Sequence, residues 1–296
     1  MTAKIIDGIA IARSVRVGIA DRASALKARG VNPALTVILV GEDPASAIYV
    51  RNKVRACAEV GIKSDVVRLP SDIAERQVLD RIRALNDAPS VHGILVQLPL
   101  PPHISVRRVV ETISAEKDVD GFHLYNVGGL VNGQTVFPPC TPYGVQKILE
   151  HEGIELEGKN VTVVGASNIV GKPLALMLMQ REATVAICHA KTRDLTQYTI
   201  LADILVVAAG SPNLIVPVMV RTGAVVIDVG INFVGGKLVG DVDFEGVRKK
   251  ASYITPVPGG VGPMTVTMLL ENTVAAAERA TAGNARPDFA PAHASL

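Results

Sequence analysis

The chain has 296 residues, which is long for a single hydrophobic core and favours two domains. Its 30 basic and 28 acidic residues give a net charge of +2 without a Lys/Arg block, so a nucleic-acid-binding surface is not expected. No apolar segment reaches the ~20 residues that a membrane helix needs, and the start is no signal peptide, so we expect a soluble cytoplasmic protein.

Composition points to an α/β protein. Hydrophobic residues make up 48% of the chain but aromatic residues only 3%, so Val, Ile, Leu and Ala must form the core, as in buried parallel strands. Cysteine and histidine spacing predicts neither a metal site nor a disulfide framework. The residues concerned are Cys57, Cys140, Cys188, His92, His123 and His189.

The first half of the chain alternates helical periodicity with buried-strand runs. Helices are predicted over residues 9–29, 44–60 and, with Asp72 as a cap, up to about 86. Strands are predicted over 34–40, 65–69 and 91–98. This order predicts right-handed crossovers and a parallel sheet.

Two proline clusters, at 99–102 and 138–142, interrupt the pattern, with a short helix between them. After the second cluster a helix is predicted from about Pro142 to Gly153. We therefore place a domain boundary between residues 138 and 139.

The second half predicts a doubly wound, Rossmann-type domain over residues 139–262. Its elements are strands at 160–164, 184–188, 203–208 and 224–229 and a helix at 173–180. A long helix over 263–280 is expected to close the first domain, residues 1–138. The remainder, 281–296, is expected to be disordered.

A loop rich in glycine and proline precedes the closing helix. Residues 255–265 read TPVPGGVGPMT. Glycine allows close backbone approach to a ligand, and proline makes the loop rigid. The alternative is a tight strand-to-helix turn.

The segment from Gly165 to Pro173, GASNIVGKP, lies between a predicted strand and a predicted helix. Such a turn can hold a phosphate, because free N–H groups and the positive helix end face the anion. The spacing departs from Gly-x-Gly-x-x-Gly, since Ser167 replaces the second glycine and Gly171 comes one residue late. A plain strand-to-helix turn remains the alternative.

The end of the next predicted strand bears on the choice of nucleotide. An acidic residue there would bind the ribose of NAD, whereas basic residues accept the 2′-phosphate of NADP. Lys191 and Arg193 stand at this end, so NADP is favoured. Asp194 keeps NAD open, and both cations could be ordinary surface residues.

Polar residues of the first half suggest a catalytic group. Tyr49 and Lys53 are four apart on a predicted helix and share a face, and Gln97 ends a predicted strand. Asp118 and Asp120 flank a valine before a glycine. From pattern alone, Lys53 could be a surface lysine, Tyr49 a core-edge residue and the two aspartates a turn pair.

Seven segments together resemble the bifunctional methylenetetrahydrofolate dehydrogenase/methenyltetrahydrofolate cyclohydrolase family, of the bacterial type without a synthetase domain. They occur in the family's order from about Ile5 to Ala280. The segments are YVRNK from Tyr49, GILVQLPLP from Gly93, KDVDGF from Lys117, PCTP from Pro139, GASNIVGKP from Gly165, VIDVGIN from Val226 and YITPVPGGVGPMT from Tyr253.

The resemblance implies an N-terminal catalytic domain and a C-terminal dinucleotide domain with a cleft between them. It further implies oxidation of 5,10-methylenetetrahydrofolate by NADP and hydrolysis of the methenyl product to 10-formyltetrahydrofolate, in one-carbon metabolism and purine biosynthesis. The alternatives are a dehydrogenase that acts on a related small substrate without the hydrolytic step, and a nucleotide-sensing protein that has lost its catalytic activity.

The resemblance also implies roles for individual residues. Lys53 is the catalytic lysine, Gln97 contacts and tunes it, Tyr49 lies beside the folate, and Asp120 binds the pterin's amino-pyrimidine edge. A neighbouring cationic carbon would favour the uncharged form of a lysine. The other implied folate-binding residues are Val96, Leu98, Pro258, Gly259 and Gly260. The implied cofactor-binding residues are Gly165, Ala166, Ser167, Ala190, Lys191, Arg193 and Ile231.

Two positions depart from common family patterns. Ala166 stands where many members carry arginine, and Ala190 where many carry serine, and both usually help to bind the 2′-phosphate. Lys191 and Arg193 would then be substitute ligands for NADP. The family further implies a homodimer formed through the nucleotide domain.

Overall fold

The computed structural model describes residues 2–282. Its strands are β1 (Lys4–Ile5), β2 (Ala34–Val40), β3 (Lys63–Leu69), β4 (Gly93–Val96), β5 (Asn160–Val164), β6 (Thr184–Cys188), β7 (Ile204–Val207), β8 (Val225–Asp228), β9 (Asn232–Val234), β10 (Lys237–Val239) and β11 (Tyr253–Ile254). Its α-helices are α1 (Gly8–Ala28), α2 (Pro44–Glu59), α3 (Glu75–Asp87), α4 (Val106–Thr112), α5 (Leu124–Val131), α6 (Cys140–His151), α7 (Gly171–Met179), α8 (Thr196–Thr199), α9 (Phe244–Val247) and α10 (Val261–Thr281).

The chain folds into two units, each with its own sheet. The three-stranded unit comprises residues 15–138 and 266–282, and the six-stranded unit comprises 2–14 and 139–265. The sequence prediction differs in assigning the first residues to the 1–138 domain. They join the six-stranded unit because β1 pairs in parallel with β11, with Lys4 opposite Tyr253.

The three-stranded sheet has the order β3-β2-β4, and both pairings are parallel. All seven residues of the central strand β2 are buried, so apolar packing covers both faces of this strand. Helix α3 buries Val78, Leu79, Ile82 and Leu85, a spacing that puts them on one face. Each such side chain contributes roughly 1.5–3 kcal/mol when fully buried.

The six-stranded sheet has the order β1-β11-β8-β7-β5-β6, and all of its pairings are parallel. Strands β6 and β7 lie on opposite sides of β5, so the winding direction reverses at β5. Ligands of doubly wound sheets bind at the carboxyl ends of the strands at such a reversal. The predicted α/β class with parallel sheets is confirmed.

Several local predictions need correction. Asp72 does not cap α3: the chain turns through Pro70 and Ile73, and the helix begins at Glu75. Strand β4 is shorter than the predicted 91–98. Several short elements were not predicted from the sequence, because their runs are too brief or too glycine-rich to show periodicity. They are β1, β9, β10, β11, α5, α8 and α9.

The predicted disordered tail, residues 281–296, lies outside the described residues from position 283 onward. Thr281 is the last residue of α10. No helix within residues 2–282 is long and apolar enough to cross a membrane.

Candidate active site and dinucleotide-binding turn

The central contact of the three-stranded unit joins Lys53 and Gln97. Lys53 lies on α2, which follows β2, and Gln97 directly follows β4, so two adjacent parallel strands lead into the pair. Lys53 Nζ donates to Gln97 Oε1 at 3.1 Å. Gln97 Nε2 donates to the carbonyl of Leu98 at 2.6 Å, which leaves its oxygen free to face the lysine.

The contact of Lys53 with Gln97 differs from an ion pair. Among the residues that the structure describes, Lys53 forms no ion pair. An amide oxygen can orient an ammonium group without the full counter-charge that a carboxylate would supply. The pair therefore orients the Lys53 amine without a carboxylate counter-charge.

Tyr49 lies one turn before Lys53 on α2, and its side chain is exposed. The i and i+4 positions put both residues on the same face of the helix, as the sequence predicted. Val96 is buried and Leu98 is half-buried on either side of Gln97.

The two aspartates of KDVDGF have different surroundings. Asp118 is only 2% exposed, and its Oδ2 accepts from His123 N at 2.7 Å and from Asn126 Nδ2 at 2.9 Å. Burial raises the pKa of the Asp118 carboxyl to about 6, although these hydrogen bonds oppose the rise. Asp118 therefore anchors the start of α5, while Asp120 is half-buried two residues later.

A backbone bridge fixes this aspartate segment beside β4. Ile94 and Asp118 form an isolated parallel bridge, and Ile94 N donates to Lys117 O at 2.8 Å. The segment that carries Asp120 is thus attached to the strand that leads to Gln97.

In the six-stranded unit, the glycine-proline loop packs against the start of the chain. Gly260 N donates to Pro256 O at 2.9 Å, which closes the loop. A Cβ at Gly8 would lie 1.8 Å from Gly260 O, so only glycine allows this approach. Asp7 Oδ1 accepts from the N–H groups of Ile9 and Ala10 at 3.0 Å and caps α1. This role of Asp7 and Gly8 was not predicted from the sequence.

The turn between β5 and α7 is built around two glycines. Gly165 has a φ of +117°, and a Cβ there would lie 2.1 Å from Ala208 O. A Cβ at Gly171 would lie 1.8 Å from Gly165 O. The Gly165 backbone thus lies directly on the residue that follows β7 and on the first residue of α7, as a phosphate-binding turn requires.

Ser167 organises the same turn. Its hydroxyl accepts from Val170 N at 3.1 Å and from Gly171 N at 3.4 Å. The serine at the second glycine position therefore shapes the entry to α7, and its exposed position keeps it accessible. Ala166 is half-buried beside it.

The basic residues after β6 lie on a tight turn. His189 N donates to Thr192 Oγ1 at 3.0 Å, and Lys191 N donates to His189 Nδ1 at 3.1 Å. Ala190, Lys191 and Arg193 are exposed. Gly165 N donates to Cys188 O at 2.9 Å, so the turn and the end of β6 are joined.

Asp194, the residue that left NAD as an alternative cofactor, makes a local hydrogen bond. Its Oδ1 accepts from Thr196 N at 3.0 Å. Lys191 and Arg193 form no ion pair within residues 2–282. These two cations are suitable donors for a 2′-phosphate.

Two buried carboxylates near Ile231 were missed by sequence reasoning. Asp228 and Asp241 are 3% and 0% exposed, and both accept backbone hydrogen bonds. The available signal was an aspartate that ends the apolar run VVID. Within residues 2–282 no group of three His, Cys, Asp or Glu side chains could hold a metal ion.

The six-stranded sheet is doubly wound and carries the Gly165 turn. The three-stranded parallel sheet leads to the Lys53–Gln97 pair. Together these features define a dinucleotide-dependent α/β enzyme. The profile described as "Tetrahydrofolate dehydrogenase/cyclohydrolase, catalytic domain" matches residues 6–120, and the profile of the corresponding "NAD(P)-binding domain" matches 139–281. The chain belongs to this tetrahydrofolate dehydrogenase/cyclohydrolase family.

Individual relatives are consistent with this family assignment. The chain is 58% identical over 286 residues to the Bifunctional protein FolD of Paraburkholderia xenovorans, covering 96% of this chain and all (100%) of that protein. Among solved structures, the bifunctional enzyme FolD from Campylobacter jejuni has a TM-score of 0.92 at 52% identity, covering 94% of this chain and 99% of that one. The Trypanosoma brucei FolD, complexed with NADP cofactor and inhibitor, has a TM-score of 0.91 at 39% identity, covering 95% and 99%.

Proposed function

We propose that this protein oxidises 5,10-methylenetetrahydrofolate to the 5,10-methenyl form with NADP and then hydrolyses the methenyl form to 10-formyltetrahydrofolate. The observation that carries this proposal is the contact of 3.1 Å between Lys53 Nζ and Gln97 Oε1 in a chain 58% identical to a bifunctional FolD protein. A dehydrogenase without a hydrolytic step would not need this amine.

The hydrolytic step requires proton transfer at a cationic bridge carbon. Water adds to this carbon and loses a proton. The bond to one folate nitrogen then breaks as that nitrogen takes up a proton, and the remaining hydroxyl proton is released to solvent as the formyl C=O forms. Lys53 Nζ accepts the first proton and returns the second, and Gln97 keeps the amine oriented. The positive charge of the substrate favours the uncharged amine at the start of the step.

The oxidation depends on positioning. NADP, when bound, accepts the hydride that leaves the methylene carbon. The chain's contribution is to hold the nucleotide at the Gly165 turn and at Ile231, with Ala166, Ser167 and Ala190 alongside. Lys191 and Arg193 bind the 2′-phosphate. They are suited to this role because neither forms an ion pair within residues 2–282.

The remaining proposed contacts are with the folate. Asp120 accepts hydrogen bonds from the amino-pyrimidine edge of the pterin, and Tyr49 packs beside the ring. Val96 and Leu98, on either side of Gln97, contact the folate from the three-stranded unit. In this scheme the three-stranded unit, residues 15–138 and 266–282, binds the folate, and the six-stranded unit, residues 2–14 and 139–265, binds NADP.

We also propose that the protein is a cytoplasmic homodimer formed through the six-stranded unit. Its three cysteines are free and buried, which suits a reducing compartment. The β9–β10 hairpin exposes Phe233, Val234 and Leu238, and a two-stranded hairpin with such an apolar surface gains stability by packing against a partner.

Absorbance measurements on the purified protein test both reactions. Nucleotide reduction is followed with 5,10-methylenetetrahydrofolate and either NADP or NAD. Decay of 5,10-methenyltetrahydrofolate is followed without nucleotide. We expect reduction of NADP in preference to NAD, and enzymatic decay of the methenyl compound.

The possible results separate the alternatives. Nucleotide reduction without accelerated methenyl decay would indicate a dehydrogenase only. NADP binding without turnover in either assay would indicate a nucleotide-sensing protein. Preference for NAD would contradict the assignment of Lys191 and Arg193.

A further inference from the structure

One buried carboxylate connects the segments around the proposed NADP site. Asp241 lies between β10 and α9 and is 0% exposed. Its Oδ2 accepts from Ala209 N at 2.7 Å and from Gly210 N at 2.9 Å. Its Oδ1 accepts from Ser211 N at 2.9 Å and from Asn232 Nδ2 at 2.8 Å. Three successive backbone N–H groups directed at one anion form a concavity of the kind that binds anions, and here the protein's own carboxylate fills it.

The loop that Asp241 holds directly follows β7 and contacts the glycine turn. Ala208 N donates to Val164 O at 2.7 Å, and a Cβ at Gly165 would lie 2.1 Å from Ala208 O. The Gly165 backbone therefore lies directly against Ala208, without room for a side chain between them. The position of residues 208–211 therefore determines where the Gly165 turn can lie.

The same carboxylate fixes the segment that carries Ile231. Asn232 donates to Asp241, and a Cβ at Gly230 would lie 2.2 Å from Asp241 Cγ. Both neighbours of Ile231 are thus in contact with Asp241, while the Ile231 side chain is exposed. Asp241 anchors the residues around a solvent-facing position without occupying it.

A second buried carboxylate holds Asp241 in place. Asp228, at the end of β8, accepts from Asp241 N and Val242 N at 3.0 Å. It also accepts from Gly230 N at 2.9 Å. The end of the central strand β8 is thereby connected through Asp241 to the loop after β7.

We propose that Asp241 is a positioning residue of the dinucleotide site. Its single carboxylate aligns the loop beside Gly165 with the segment around Ile231, and nucleotide affinity depends on this alignment. This inference rests on the proposed NADP-dependent function. It assigns Asp241 no contact with the nucleotide and no part in the hydrolytic chemistry of Lys53.

The test compares Asp241→Asn with Asp243→Asn in the full-length chain. The asparagine keeps the shape but turns an NH2 group toward backbone N–H donors, so at least one of them loses its acceptor. Asp243 gives a matched control, because it is two residues away and its substitution removes the same charge. Within residues 2–282 its carboxylate accepts only from Gly246 N, a contact that caps α9. Calorimetry measures the Kd for NADP, and steady-state kinetics measures KM and kcat for NADP and methenyl decay without nucleotide.

We expect Asp241→Asn to raise the Kd and KM for NADP about tenfold or more, a factor equal to about 1.4 kcal/mol. Methenyl decay should stay within about twofold of the wild type, and Asp243→Asn should change neither property by more than that. Asn232→Ala, which removes one of the four contacts, should raise the Kd less and provides the test if Asp241→Asn does not fold.

Unchanged NADP affinity in Asp241→Asn would overturn the inference, as would losses of equal size in both activities. If Asp241→Asn does not fold, unchanged affinity in Asn232→Ala overturns it instead. A wild-type protein that binds NADP but lacks both activities would refute the proposed function, while the comparison of Kd values would still decide the role of Asp241.

Discussion

At the scale of single residues, the partner of Lys53 is an amide and not a carboxylate. Lys53→Ala should lower the rate of methenyl hydrolysis by about 10²- to 10⁴-fold, the usual contribution of a proton-transfer group. NADP binding should persist, because the residues of the Gly165 turn belong to the six-stranded unit. Methenyl decay without nucleotide and NADP calorimetry measure the two effects.

Lys63→Ala is the matched control for this variant. Lys63 is an exposed lysine on β3 of the three-stranded sheet. It pairs with Ala34, at the opposite end of this sheet from Gln97. It should leave hydrolysis unchanged. Full hydrolytic activity in Lys53→Ala would refute the role of Lys53.

Asp118 predicts a pH dependence of stability. Its folded-state pKa of about 6 lies above its ordinary value of 3.8, so the folded protein binds the proton more tightly than the unfolded chain. The stability that this proton provides is complete below pH 3.8 and is lost as the pH rises through 6. For this buried group, the resulting change in the free energy of unfolding is about 2 to 3 kcal/mol.

Asp118→Asn removes this titration. The difference in the free energy of unfolding between the wild type and Asp118→Asn should therefore change by about 2 to 3 kcal/mol between pH 4 and pH 7, with the wild type losing stability relative to the variant. Urea unfolding at several pH values measures it. A constant difference would show that Asp118 does not titrate in this range.

The sequence predicted some of these residues better than others. The spacing of Tyr49 and Lys53 was sufficient, because a shared helix face follows from local geometry. The different burial of Asp118 and Asp120 could not be predicted, because it depends on α5, whose two glycines hide the helical pattern. The sequence around Asp241 did not indicate its role, because its hydrogen-bond partners lie on loops up to 32 residues away.

At the scale of elements, the junction of β5 and α7 depends on glycine packing. Gly171→Ala would place a Cβ 1.8 Å from Gly165 O, so the turn must move. Overpacking of this kind costs about 1–3 kcal/mol. We expect reduced thermal stability and weaker NADP binding, measured by thermal melting and calorimetry.

Gly18→Ala makes the same change where space exists. Gly18 lies inside α1, and a Cβ there would meet nothing within 4 Å. This variant should be stabilised by about 0.5–1 kcal/mol, the helical preference for alanine over glycine. Equal stability and NADP affinity in the two variants would argue against a special role for the Gly171 contact.

Long elements were predictable because hydrophobic patterns identify them. The run ALTVILV, which ends in Gly41, predicted a buried strand, and it forms β2. Strands β1 and β11 have two residues each, too few for a pattern. Their existence depends on pairing between distant parts of the chain, which a local reading of the sequence does not contain.

At the scale of the whole molecule, the proposed homodimer gives a test of the hairpin surface. Phe233 is 75% exposed on β9. Phe233→Asp would put a charge into an apolar interface and should shift the protein from dimer to monomer. Light scattering after gel filtration measures the mass.

Val218→Asp controls for a charge on an exposed apolar site. Val218 is 76% exposed in the same unit but lies outside the hairpin, so this variant should remain dimeric. A wild-type protein that is already monomeric would contradict the homodimer proposal. A dimeric Phe233→Asp variant would show that the interface lies elsewhere.

The parallel pairing of β1 with β11 has a consequence for biosynthesis. Ala3, Lys4 and Ile6 donate their amide protons to carbonyls of Arg248, Ser252 and Ile254. During synthesis, residues 3–6 emerge from the ribosome long before residues 248–254. The outermost strand of the larger sheet must therefore be added late, and residues 3–6 have no native sheet partner until then.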